Sequence, residues 1–91
     1  MVAQVVGVRR VDMKDNDGKS INGESIQIVR KPSSRDTTVN GFLIDKIFVH
    51  DSSQIKIPDL VFGECYDFVY EMDGKKPFLD DIKPMPKGTK L

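Results

Sequence analysis

The stretch from Leu60 to Lys83 constrains the fold of this chain more than any other. Within it Tyr66, Phe68 and Tyr70 alternate with Cys65, Asp67, Val69 and Glu71, a period of two that gives an extended strand two different faces. Asp73-Gly74 follows, the dipeptide that best tolerates the positive φ angles of a hairpin turn. Gly63 before the strand and Pro77 after the turn punctuate its ends, and Phe78 to Lys83 reads as the returning strand. An isolated hairpin is marginal in water. The remainder of the chain must therefore supply strands to cover it.

It does so in three runs. Ala3 to Met13 is valine-rich, which favours a strand, with Val6, Val8 and Arg10 assigned to one face and Val5, Arg9, Val11 and Met13 to the other. Lys14 to Lys19 is a turn, and a second strand covers about Lys19 to Lys31, with Asn22-Gly23 expected to form a bulge or bend. Lys31 to Thr38 is a polar loop, Gly41 to His50 a third strand, and Asp51 to Asp59 a connection with a short helical turn. The expectation is an all-β domain over residues 1–83, a small five-stranded OB-like or SH3-like barrel, closed or nearly so, with a flexible Pro/Lys tail at 84–91. Ile47, Val49, Tyr66 and Phe68 are expected in the core, and Phe42, Ile44 and Phe78 in the core or an interface.

A chain of 91 residues has room for one modest core. Domains of this size bury only about 60–65% of their unfolded surface, so pairing into a homodimer is an expected source of stability. No apolar run approaches the roughly 20 residues that span a bilayer, and the first charges follow rather than precede the apolar start, unlike a signal peptide. The expected setting is the cytoplasm, without membrane attachment. A single cysteine, Cys65, excludes an intramolecular disulfide.

Net charge is zero, which argues against a uniformly basic nucleic-acid binder. The charges are nevertheless segregated. Residues 1–40 carry seven bases and five acids, residues 41–81 four bases and nine acids, and the last ten residues three lysines and no acid. A dipolar distribution of this kind leaves room for a local basic groove.

Signals for chemistry are sparse. Aligning Gly18 with the glycine of an EF-hand loop places Asp15, Asp17 and Glu24 at ligand positions, but the first position is Met13 and the flanks are strands. The segment reads instead as a hairpin turn. Cys65 and His50 lack an orienting third group, and Asp80-Asp81, as strand neighbours, point to opposite faces. There is no Gly-rich phosphate loop and no metal-ligand spacing, so no cofactor and no enzymatic role is expected.

The candidate binding surface is the third strand. With Ile47 and Val49 facing the core, Lys46, Phe48 and His50 share the other side, a cation, an aromatic ring and an imidazole in a row suited to stacking bases beside a phosphate. Arg9-Arg10 and Arg30-Lys31 each place one cation on either face of their strands, so one member of each pair can join this surface. Lys75-Lys76 and Arg35 can extend it, and Tyr70 can reach its rim.

On these residues the chain resembles the small single-stranded DNA-binding proteins of phages and mobile elements, the gene V type of filamentous phage. The likeness lies in overall size, in Gly18-Lys19 opening a strand that includes Glu24-Ser-Ile-Gln-Ile-Val29, and in a closing pattern that begins at Gly63-Glu-Cys-Tyr-Asp-Phe68. That pattern ends at Phe78-Leu-Asp-Asp-Ile-Lys83-Pro-Met-Pro-Lys87. The resemblance implies an OB-fold dimer that coats single-stranded DNA, or RNA, without enzymatic action. By the resemblance Arg9, Arg10, Lys19, Arg30 and Lys46 would hold phosphates and Phe48 and Tyr70 would stack bases; Lys31 and His50 join the candidate site from the residue pattern alone. The acidic second half carries the rival reading, an interaction module or inhibitor engaging a basic protein partner. An enzyme using Cys65 is a third.

Overall fold

The computed structural model describes all 91 residues. Five antiparallel strands, β1 (Val2–Lys14), β2 (Ser20–Arg30), β3 (Leu43–His50), β4 (Cys65–Asp73) and β5 (Lys76–Pro84), form one sheet in the order β3-β2-β1-β4-β5. The neighbours β3-β2-β1-β4 stand in Greek-key order, the connectivity on which OB-type barrels are built. The chain is all-β and barrel-like, but the barrel is not closed, because no ladder joins β3 to β5. No helix is long and apolar enough to cross a membrane, and residues 51–64 contain no helical turn.

β1 serves both halves of the sheet. Val2 to Gln4 pair with β4, whereas Gln4 to Lys14 pair with β2. Between them the register shifts at Val5/Gly7, leaving Val6 as the extra residue of a bulge and 47% exposed. This corrects the expected faces of β1: Val5 and Val8, not Val6 and Val8, point into the core. The bulge expected at Asn22-Gly23 is absent there, since the β2 register runs unbroken through both residues.

The core gathers Ala3 and Val5 from β1, Ile26 and Ile28 from β2, Ile47 and Val49 from β3, Tyr66 and Phe68 from β4, and Ile82 from β5. Phe68 is the largest fully buried side chain. Where the barrel mouth lies open, the β3–β4 connection supplies Ile55, Ile57 and Leu60 as a partial plug. The Tyr66 hydroxyl holds that plug in place, accepting from the Val61 amide at 2.8 Å and donating to the Asp59 carbonyl at 3.2 Å. Phe42, Ile44 and Phe78 lie outside the core: Ile44, 82% exposed, shares the outward parity of Lys46 and Phe48, Phe42 precedes β3, and Phe78 lies on β5 opposite exposed Glu71. The segment after β5 turns back toward the sheet, its Gly88 amide donating to Glu64 Oε2 at 3.4 Å.

Both hairpin turns, β1–β2 and β4–β5, contain a glycine at positive φ. In the β1–β2 turn Asp15 Oδ1 accepts from the amides of Asp17 and Lys19, each at 2.9 Å, and Gly18 sits at φ 80°. In the β4–β5 hairpin Asp73 and Lys76 are the flanking pair, so Gly74-Lys75 rather than Asp73-Gly74 makes the turn. Only Gly74 has positive φ, at 63°, which matches a two-residue turn requiring glycine at its first central position.

Gly23 has a different reason to be glycine. A Cβ there would stand 2.3 Å from the Val49 carbonyl oxygen and 2.7 Å from Phe48 Cζ, so β3 can lie this close only over a bare backbone. At Gly7 a Cβ meets nothing nearer than Gln27 Cγ at 3.7 Å. Gly23→Ala is therefore expected to destabilise the domain by about 1–3 kcal/mol, the usual cost of overpacking, and Gly7→Ala to leave it unchanged or slightly more stable. Urea denaturation of the two variants checks this, and equal midpoints would refute the close approach of β3 to Gly23.

Candidate nucleic-acid interface

Strand parity decides which side chains share a surface. On β3, Ile47 and Val49 are buried, which turns Lys46, Phe48 and His50 to the outer face. On β2 the inward Ile26 and Ile28 leave Gly23, Ser25 and Gln27 on that same outer face, and on β1 the bulge brings Gly7, Arg9 and Val11 there. The register then lines these residues up in rows across three strands. Arg9, Ser25 and Phe48 form one row, Gly7, Gln27 and Lys46 the next, and Val11, Gly23 and His50 the third. Gly7, Arg9, Ser25, Gln27 and Lys46 line a single open groove.

Phe48 is half-buried because its ring lies over Gly23. His50 stands edge-on to it, ring centroids 4.6 Å apart at an interplanar angle of 86°. The Phe48 ring is thus held at its tip over Gly23 and by His50 beside it, and stays partly exposed. Arg9 and Lys46, both exposed and without a carboxylate partner, flank it. The arrangement suits an anionic polymer carrying flat, apolar groups, with rings to stack on and free cations for the charges.

Other candidate residues fall elsewhere. Arg10 projects from the core side of β1, where its guanidinium forks onto two carboxylates: Nη1 donates to Asp51 Oδ1 at 2.7 Å, Nη2 to Asp12 Oδ1 at 3.0 Å, and Nη2 also to the second Asp51 oxygen. Arg30 shares the core side of β2 and pairs with Asp45 at 3.7 Å. Lys19 lies in the β1–β2 turn, and Lys31 lies past the end of β2, beside the last residues of the chain.

Tyr70 continues the inward parity of Tyr66 and Phe68 and emerges, 40% exposed, at the unclosed seam. Burial raises its hydroxyl pKa, and the nearby Asp45 charge adds to the effect against Arg30. Tyr70 and Phe48 therefore belong to opposite sides of the sheet and do not share one stacking surface. Ser25 and Gln27 are the outer-face residues that charge and aromaticity did not single out. The signal for them is their alternation with Ile26 and Ile28.

Cys65 is buried apart from the main cluster, and burial, then the Glu64 charge, raises its thiol pKa, the opposite of an activated nucleophile. Compared with models of known protein families, with curated proteins and with solved structures, the chain matches none of them.

The Arg10–Asp51 pair ties the start of the β3–β4 connection to β1 beside the interface. The Arg10 hydrogen bonds hold the Asp51 carboxyl below its ordinary value. A depressed carboxylate contributes stability that is present above its unfolded pKa, near 3.9, and lost as pH falls through the folded value. Asp51→Asn should thus be less stable than the parent at pH 7, with the difference closing as pH drops below about 4. Thermal midpoints across pH 2.5–7 read this, and a difference that stays constant would show that the pair contributes nothing.

Proposed function

We propose that the chain is a non-enzymatic, sequence-tolerant single-stranded DNA-binding protein, with RNA as the closest competitor. The observation that carries this reading is the convergence of Arg9, Lys46, Phe48 and His50 on the outer face of β1–β3. Binding combines phosphate neutralisation, with release of counterions, and stacking of bases on the braced Phe48 ring. Strand flexibility and groove shape set the preference for single strands over duplex. The Greek-key order agrees with this use, since in OB-type barrels the face of the second and third strands is an oligonucleotide surface. Arg10 and Arg30, on the core side and engaged by carboxylates, and Tyr70, also on that side, take no part on this face. A homodimer and a host-cell cytoplasm, that of a phage or mobile element, belong to the same proposal.

A second reading rests on the β4–β5 arm, where exposed Met72 and Phe78 stand among Glu71, Asp73 and Asp80 as a surface for a basic protein partner. Oligonucleotide binding separates the two. Labelled oligo-dT titrated by fluorescence anisotropy should bind saturably at low salt and weaken linearly in log–log salt. The expected slope is about −1.4 if Arg9 and Lys46 meet one phosphate each, at roughly −0.7 per contact. Phe48→Ala should weaken binding at least about tenfold, within the 1–3 kcal/mol of one stacked base, without unfolding the domain. Tyr70→Ala should leave affinity within about twofold. Absence of binding at tens of micromolar would overturn the nucleic-acid reading and favour the hairpin arm.

A further inference from the structure

We propose that a second copy of this chain joins at the free edge of β3, pairing β3 with β3 about a two-fold axis centred on Ile47. The inference rests on the single-strand reading above and names the partner that completes its surface.

The backbone shows that the edge is open. The Asp51 amide donates to the Asn22 carbonyl at 2.9 Å, and the Val49 carbonyl oxygen lies against Gly23. Bonding alternates along an antiparallel strand, so Leu43, Asp45, Ile47 and Val49 commit their backbone groups to β2. Ile44, Lys46, Phe48 and His50 turn theirs to the free edge. The Lys46 amide, with no strand to bond, donates to its neighbour Asp45 Oδ1 at 2.8 Å, and the His50 carbonyl accepts from the Ser53 amide at 2.9 Å. The other outward groups meet no strand, since no residue of β3 comes within 8 Å, Cα to Cα, of β4 or β5. An edge of this kind is a template for a further strand, whereas β5 is interrupted by Pro77, Pro84 and the irregularity near Asp80.

Charge selects a second copy and a single register. Residues directly opposite in an antiparallel pair share a face, so a two-fold contact sets even-numbered residues against even and odd against odd. An axis centred on Lys46 would oppose the two Lys46 ammonium groups, and one on Asp45 the two Asp45 carboxylates. An axis on Phe48 would set Asp45 against Asp51. Centred on Ile47, the pairing opposes no like charges. Lys46 then lies across from Phe48 of the second copy, a cation beside a ring, Ile44 from His50, and Asp45 from Val49. The Phe48 carbonyl of the second copy takes over the Lys46 amide from Asp45.

The same register covers an apolar group that the single copy leaves bare. Ile44, at 82% the most exposed of the large apolar side chains, comes against His50 and, diagonally, Phe48 of the second copy. The Phe48 ring leaves room for this, because it leans over Gly23 toward β2 and away from the edge. The outer faces of the two copies become one surface. The row Arg9, Ser25, Phe48 continues into Lys46, Gln27 and Gly7 of the second copy. Each stacking ring then stands between Arg9 of its own copy and Lys46 of the other, so the site is incomplete in one copy alone.

Sedimentation equilibrium without oligonucleotide reads the pairing independently of the single-strand reading, and the parent should be a dimer at tens of micromolar. Ile44→Pro removes an outward N–H and leaves the β2 ladder intact. It should weaken dimerisation by about tenfold or more, from one lost hydrogen bond in each copy. Isotope-filtered NOEs in a mixed-label sample of the parent should join Ile44 to His50, and Lys46 to Phe48, of the other copy. On an oligo-dT long enough to cross the axis, two copies of Arg9 and Lys46 should give a salt slope of about −2.8, and Ile44→Pro should return it to about −1.4. A parent that stays monomeric, or a dimer whose NOEs come from a surface other than the β3 edge, would overturn the pairing and leave the outer face of each copy standing. A dimer with these NOEs that binds no oligonucleotide would support the pairing and remove the single-strand reading. Should Ile44→Pro unfold, the NOEs of the parent decide.

Discussion

The register of β2 is the constraint on which the rest of the structure depends. β2 is paired on both sides over most of its length, with β1 from Ser20 to Val29 and with β3 from Gly23 to Arg30. Its side chains alternate between fully buried Ile26 and Ile28 and the small or polar Gly23, Ser25 and Gln27. A slip of one residue would expose both isoleucines and press the polar set into the core. The same alternation that builds the core therefore also clears the outer face, where long side chains from β1 and β3 meet across a low central strand. Core and surface are two readings of one strand.

Much of this was legible in the sequence where a local signal coincided with a tertiary one. The alternation at Tyr66 and Phe68, and the opposition of Ile47 and Val49 to Lys46, Phe48 and His50, follow from period-two patterning alone. The β1 bulge was not legible, because Val5-Val6-Gly7-Val8 is apolar or bare throughout and offers no cue as to which residue is extra. Gly23 was legible as special but not in kind: a glycine that admits a bulge and one that admits a neighbouring strand look alike until β3 is in place. The fate of Arg10 lay beyond reach, since Asp51 is 41 positions away. Phe42 and Ile44 were assigned by residue type, which overrode the outward parity that Ile44 shares with Lys46, Phe48 and His50.

Charge follows the sheet rather than the chain. Arg10 and Arg30, on the inward side, are matched by carboxylates, Arg10 by Asp12 and Asp51 and Arg30 by Asp45, whereas Arg9 and Lys46 on the outer face are not. A net charge of zero thus conceals a sorting by face. The two free edges are also treated differently. β5 carries Pro77, Pro84 and an irregularity near Asp80, all of which resist the addition of another strand, and β3 has none of these.

The division of labour within β1 has a consequence in time rather than in space. The β1–β2–β3 meander and the β4–β5 hairpin are each assembled from contacts between neighbours in the chain. They are joined by only three register pairs, Val2 with Asp67, Ala3 with Tyr66 and Gln4 with Cys65, between residues from near opposite ends of the sequence. Such contacts carry the largest loop-closure entropy and are rewarded only after both partners exist. The short junction beside the Val6 bulge is accordingly where the loop-closure cost of this topology falls, with Ala3, small and wholly buried, at its centre.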